Sequence, residues 1–182
     1  MPHRPFILAG LLVLMAVPAA AQHAPGQHHP GANAQPYAGL EQRQFSALAP
    51  EQIADLRAGR GMALALAAEL NRYPGPMHAL DHAAEIGLSD VQAARLRSLM
   101  TTMRRDAIDA GERVIAAEQA LDAVFSQGLA TSESVAAAAA QAGAAWAALR
   151  AVHLVTHIAT RDALTPEQVA RYDVLRGYRG GG

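Results

Sequence analysis

Between residues 88 and 125 the apolar positions Leu96, Leu99, Met100, Met103, Ala107, Val114, Leu121 and Phe125 return close to every 3.6 residues. Arg95, Arg97, Arg104, Arg105 and Arg113 occupy much of the remaining surface and read as a solvated face. Proline is absent from the stretch and Gly111 is its only glycine, so a single helix of about 36 residues, roughly 54 Å long, is predicted. Its start is Leu88-Ser89-Asp90-Val91-Gln92, where Ser89 can cap the first turn and Gln92 can reach back to complete a capping box. Gln127-Gly128-Leu129 is the break before a second long helix, which begins near Ser132, passes Trp146 and ends at about Asp162. A short connection between two long helices predicts an antiparallel hairpin. Folding the hairpin about Gly128 sets His153 opposite Met103 and His157 opposite Leu99.

Shorter elements flank the hairpin. Leu48-Ala49-Pro50-Glu51-Gln52 opens a helix carried forward by Ile53, Leu56, Met62, Leu66 and Leu70. Gly59 and Gly61 weaken it by up to about 1 kcal/mol each relative to Ala, and Pro74-Gly75-Pro76 ends it. A short helix then runs from Met77 to about Ile86, closed by Gly87. After the hairpin, Thr165 as N-cap, Pro166 at the first helical position and Gln168 at the third start a last short helix. Leu164-Thr-Pro-Glu-Gln-Val-Ala repeats Leu48-Ala-Pro-Glu-Gln-Ile-Ala with two differences, and Leu88 to Gln92 is a looser copy. All three read as helix starts.

Composition agrees with an all-α fold, because the apolar half is dominated by alanine and leucine and there are only three Phe, four Tyr and one Trp. Residues 1–21 read as a secretory signal peptide: Arg4 supplies the positive region, Phe6 to Val17 an apolar run of 12, and Ala19-Ala20-Ala21 a small-residue cleavage site. The run is shorter than the roughly 20 apolar residues of a membrane span, although a membrane anchor is the alternative. A bacterial periplasm is the expected destination. Residues 22–39, rich in Pro, Gly, Gln and His, read as a disordered tail that could capture metal loosely. Residues 40–178 form the expected single helical domain, and residues 179–182 a frayed glycine-rich end.

Charge and chemistry narrow the choice. The formal net charge is −1, every basic residue apart from histidine is Arg, and no basic stripe is interleaved with aromatics, so nothing points to nucleic acid. Cysteine is absent, which removes disulfides and thiolate metal sites. Nitrogen, oxygen and thioether ligands remain. The last four histidines form two His-x-x-x-His pairs, His78 with His82 and His153 with His157. Residues four apart on a helix share a face about 6 Å apart, so both imidazoles of a pair can reach one ion. The hairpin brings the second pair level with the start of the first long helix, where the short helix bearing the first pair ends.

The phrase Leu164-Thr165-Pro166-Glu167-Gln168, the long hairpin and the two histidine pairs resemble the periplasmic Spy/CpxP family, with its Leu-Thr-x-x-Gln mark, and within it the CnrX-like heavy-metal sensors. The resemblance covers about residues 77–178. It implies a hooked four-helix fold, a homodimer in the periplasm, and nickel, cobalt or zinc binding through His78, His82, His153 and His157. Two positions depart from the pattern: the glutamate that the sensors carry on the first long helix falls near Met100 here, and their last ligand, a methionine, is His157. Four imidazoles with an optional thioether from Met100 or Met103 suit Zn²⁺, Cu²⁺, Ni²⁺ or Co²⁺, and ligand type alone does not choose among them. The two methionines also suit gap-filling between helices.

Three functions follow as expectations. The first is a metal-binding sensor or resistance protein that reports to a membrane-bound regulator, an anti-sigma factor or a sensor kinase. The second is an ATP-independent chaperone cradling unfolded clients. An enzyme is disfavoured: no nucleophile pattern is present, and neither His-x-x-x-His pair has the Glu after its first His that a His-Glu-x-x-His hydrolase uses as base.

Overall fold

The computed structural model describes residues 36–43 and 45–179. The expected signal peptide, most of residues 22–39 and the Gly180–Gly182 end lie outside them. A 3-10 turn, Leu40–Gln42, precedes α1 (Pro50–Ala58), α2 (Leu66–Glu69), α3 (Pro76–Asp81), α4 (Ala83–Ile86), α5 (Asp90–Ser126), α6 (Ser132–Asp162) and α7 (Pro166–Leu175). Among the described residues there is no strand, and the fold is all-α.

The long pair forms as the pattern requires. Ser89 Oγ accepts from Gln92 N at 3.2 Å while Gln92 Oε1 accepts from Ser89 N at 3.0 Å, a reciprocal cap that launches α5. Thr131 caps α6 in the same way through Ser134. Gly128, with φ +68, makes the turn between them, and α5 and α6 pack along one another. By length and composition α6 could cross a membrane. Its inner face, however, buries His153, Thr156, His157 and Thr160.

One helix expected from Pro50 to Leu70 is two. Gly59 takes φ +64, a left-handed conformation that ends α1, and a side chain there would have no room: a Cβ would stand 2.8 Å from Arg104 O. Met62 and Ala63 follow with φ of 44 and 57, a region that costs non-glycine residues energy. Glycine also lets α1 lie on α5, since a Cβ at Gly111 would be 2.6 Å from Leu56 O. The expected Met77–Ile86 helix is likewise divided, with His82 at φ −105 as the joint between α3 and α4.

Two apolar cores result. In one, Ile53 and Leu56 of α1 join Phe45, Leu48, Ala107, Ala110, Val114 and Leu149. In the other, Ala79, Ile86, Leu96 and Tyr172 pack together with Leu99 and Leu164 against them. Along α5 the second core ends at Leu99 and the first begins at Ala107. Met100 and Met103 fall in the gap, and neither belongs to a core.

The repeated helix-start phrase has a packing role. Gln92 and Gln168, each the third residue of its helix, face one another: Gln92 Nε2 donates to Gln168 Oε1 at 2.8 Å and Gln168 Nε2 to Gln92 Oε1 at 3.0 Å. Their amides also reach Ala163 O and Gly87 O, both at 2.9 Å. Two capping boxes thereby become one clasp that ties the start of α7 to the start of α5.

Candidate functional site

The gap between the cores opens as a cleft of about 1220 Å³. Its lining includes His78 from α3, Met100 and Met103 from α5, and His153 and His157 from α6. Of the two pairs that the hairpin arithmetic sets level, His153 and Met103 both line the cleft, whereas His157 lines it and Leu99 packs against the second core. His82 does not line the cleft.

His153 is 2 % exposed, and its Nε2 is buried with no hydrogen-bond partner. A buried polar atom left unpaired costs about 1–3 kcal/mol, so its retention asks for an explanation. Burial, with a smaller contribution from the neighbouring His157, holds the His153 pKa below the usual imidazole value. The ring is therefore neutral, with a lone pair available, over a wider pH range than a free histidine.

His157, one turn further on, is fixed differently. Its Nδ1 lies 2.7 Å from Tyr73 O, and a carbonyl can only accept, so Nδ1 carries a proton and the lone pair of the neutral ring falls on Nε2. Arg161 lies over the Tyr73 ring, 4.4 Å from its centroid, and steadies that segment. Space beside His157 Nε2 comes from Gly75, where a Cβ would sit 3.1 Å from that nitrogen.

Behind His157 stands Glu69, which the sequence reading did not single out. It is 8 % exposed. Its Oε1 accepts from Tyr172 Oη and, at 3.0 Å, from Tyr178 Oη, while Oε2 accepts from Gly75 N at 3.1 Å and lies 3.6 Å from His157 Nδ1. Arg176 donates to the Tyr178 hydroxyl through Nε at 3.2 Å and Nη2 at 3.1 Å. Burial, reinforced by the bond to Glu69, pushes the Tyr172 hydroxyl well above its ordinary pKa, so it stays a donor. Glu69 gave no sequence signal, because it sits among Leu66, Ala67 and Leu70 and its partners come from the far end of the chain.

His78 is about one-third exposed at its side chain and lies 3.5 Å from Asp81 through Nδ1. Among the described residues, no three His, Asp or Glu side chains converge closely enough to hold a metal by themselves. What the cleft brings together is one imidazole pair on α6, a third imidazole on α3 and thioethers on α5. The pair fits a transition metal in two respects. His153 offers an unpartnered nitrogen, and His157 has its second ring nitrogen tied to a carbonyl, the arrangement that orients metal-binding imidazoles and sets their tautomer.

Comparison with protein-family models, with curated proteins and with solved structures finds no match to this chain.

Proposed function

We propose that this protein is a periplasmic metal-binding sensor or resistance protein, and that it holds a transition-metal ion in the cleft through His153 and His157, with His78 and the thioethers of Met100 and Met103 within the same lining. The observation that carries this reading is the buried, unpartnered Nε2 of His153 beside an imidazole already oriented by Tyr73 O. Such an atom is costly when left unpaired and useful as a ligand. His82, outside the lining, stands as an expected ligand by its spacing from His78 and by resemblance alone. Calorimetric titration with metal salts, of the parent chain and of His153→Ala, is the test; equal binding by both removes His153 from the site.

The homodimer and the membrane-bound regulator belong to the same proposal. Ala140, Ala144, Ala147 and Ala151 are exposed along one face of α6 and continue into Val155 and Ile158, which are 62 % and 49 % exposed. A second copy fits that face, since small residues allow close helix approach. The chaperone reading draws on different residues. Leu66, Leu70 and Met77, each about half exposed, lie on or beside the cleft and offer apolar surface to an unfolded client. Suppression of client aggregation that is lost in Leu66→Asp and kept in His153→Ala would favour the chaperone.

A further inference from the structure

The chain has six methionines, of which Met1 and Met15 lie in the expected signal peptide. The other four, Met62, Met77, Met100 and Met103, come from three separate parts of the fold, the turn after α1, the first turn of α3 and the middle of α5, and all four line this cleft. Met62 packs against the first core, but gap-filling does not account for the other three, because Met77 is 51 % exposed, Met100 and Met103 are only partly buried and belong to neither core, and the cleft beside them is open. Met62 is moreover held at φ 44, a costly conformation for a side-chain-bearing residue.

We infer that the ion taken by this cleft is a soft monovalent one, Cu⁺ or its analogue Ag⁺, bound by imidazole nitrogen from His153 and His157 together with thioether sulfur from the methionines of the lining. The inference rests on the metal-binding function proposed above and names its ion. Thioether and imidazole donors select soft and borderline ions, whereas carboxylates suit hard ones. Carboxylate donors are scarce here. Both Glu69 oxygens already accept hydrogen bonds, from Tyr172, Tyr178 and Gly75. Asp109 also lines the cleft, but it is an exposed residue of α5, about 9 Å along the axis from Met103 at 1.5 Å per residue. Arg60, Arg104, Arg105 and Arg176 also line the cleft, so neutral ligands leave the charge of the ion uncompensated beside other cations, and a monovalent ion bears that at lower electrostatic cost than a divalent one. No change of oxidation state is required, since the ion enters and leaves as the +1 species.

The test uses the full chain with His3, His23, His28 and His29 replaced by Ala, so that the N-terminal histidines do not contribute. Ag⁺, and Cu⁺ kept reduced and competed against a chromogenic chelator, are titrated beside Zn²⁺, Ni²⁺ and Co²⁺. One Ag⁺ or Cu⁺ per chain is expected, bound more tightly than any of the divalent ions. Met100→Leu and Met103→Leu should each weaken Ag⁺ by roughly tenfold to a hundredfold, the scale on which loss of one group supporting a metal is felt, with Zn²⁺ affinity nearly unchanged. Leucine keeps the volume, and an unchanged melting temperature without metal certifies the fold of each variant. Divalent binding with no preference for Ag⁺ or Cu⁺, or Ag⁺ affinity untouched by both methionine changes, overturns the choice of ion and leaves metal binding standing. Binding of none of the five ions overturns both.

Discussion

His153 and His157 occupy one face of α6 yet meet different surroundings, and each difference can be measured. Because burial lowers the His153 pKa in the folded chain, the unfolded chain binds the proton more readily. The stability associated with a neutral His153 is fully present above the unfolded value of about 6.5 and is lost as pH falls through the lowered folded value. The urea midpoint should therefore drop on acidification below about pH 6.5, and His153→Phe should flatten that part of the profile; an unaltered profile would mean that the ring does not titrate with folding. Gly75 offers a separate probe. It has φ −82, which alanine adopts without strain, but the added methyl would press on His157 Nε2. Gly75→Ala should weaken metal binding while leaving the circular dichroism spectrum as it was. His82→Ala should alter affinity far less than His153→Ala, since His82 is the joint between α3 and α4 and does not line the cleft; equal losses would restore it to the ligand set.

At the scale of elements, Thr165 Oγ1 accepts from Gln168 N, so Thr165→Ala should cost about 1 kcal/mol in chemical denaturation. The Gln92–Gln168 clasp makes a stronger demand. Replacing both glutamines by Ala should be non-additive by roughly 0.5–3 kcal/mol, because either single change already breaks the shared bonds; additive losses would show the two caps to be independent. Gly111→Ala gains up to about 1 kcal/mol in helix propensity, yet the methyl would meet Leu56 O, and a net loss is expected. The long helices were legible in the sequence because periodic apolar residues, caps and the Gly128 turn are local signals that agree with one another. The split after Gly59 was not, since it depends on Arg104 O, a backbone atom 45 residues away. Glu69 escaped notice for the same reason, as its hydroxyl partners Tyr172 and Tyr178 lie more than a hundred residues on. The repeated Pro-Glu-Gln phrase was readable as a helix start, but not as half of a clasp, for pairing of two caps is a tertiary fact.

For the molecule as a whole, the cleft exists because the two cores do not meet along α5, and its lining includes four thioethers and three imidazoles beside Arg60, Arg104, Arg105 and Arg176. The exposed alanine face of α6 gives the proposed dimer a definite contact: Val155→Arg should move sedimentation from dimer to monomer and leave metal affinity unchanged, whereas an unaltered dimer would place the contact elsewhere. Metal should also raise the melting temperature, since an ion bound only by the native state stabilises it in proportion to its affinity. The most direct test of the central claim is calorimetric titration of the tail-substituted chain and its His153→Ala and His157→Ala variants with Ag⁺, Cu⁺, Zn²⁺, Ni²⁺ and Co²⁺. One ion per parent chain, with binding lost in both variants, is the predicted result. Parent and variants that bind alike, or a parent that binds none of the ions, would contradict it.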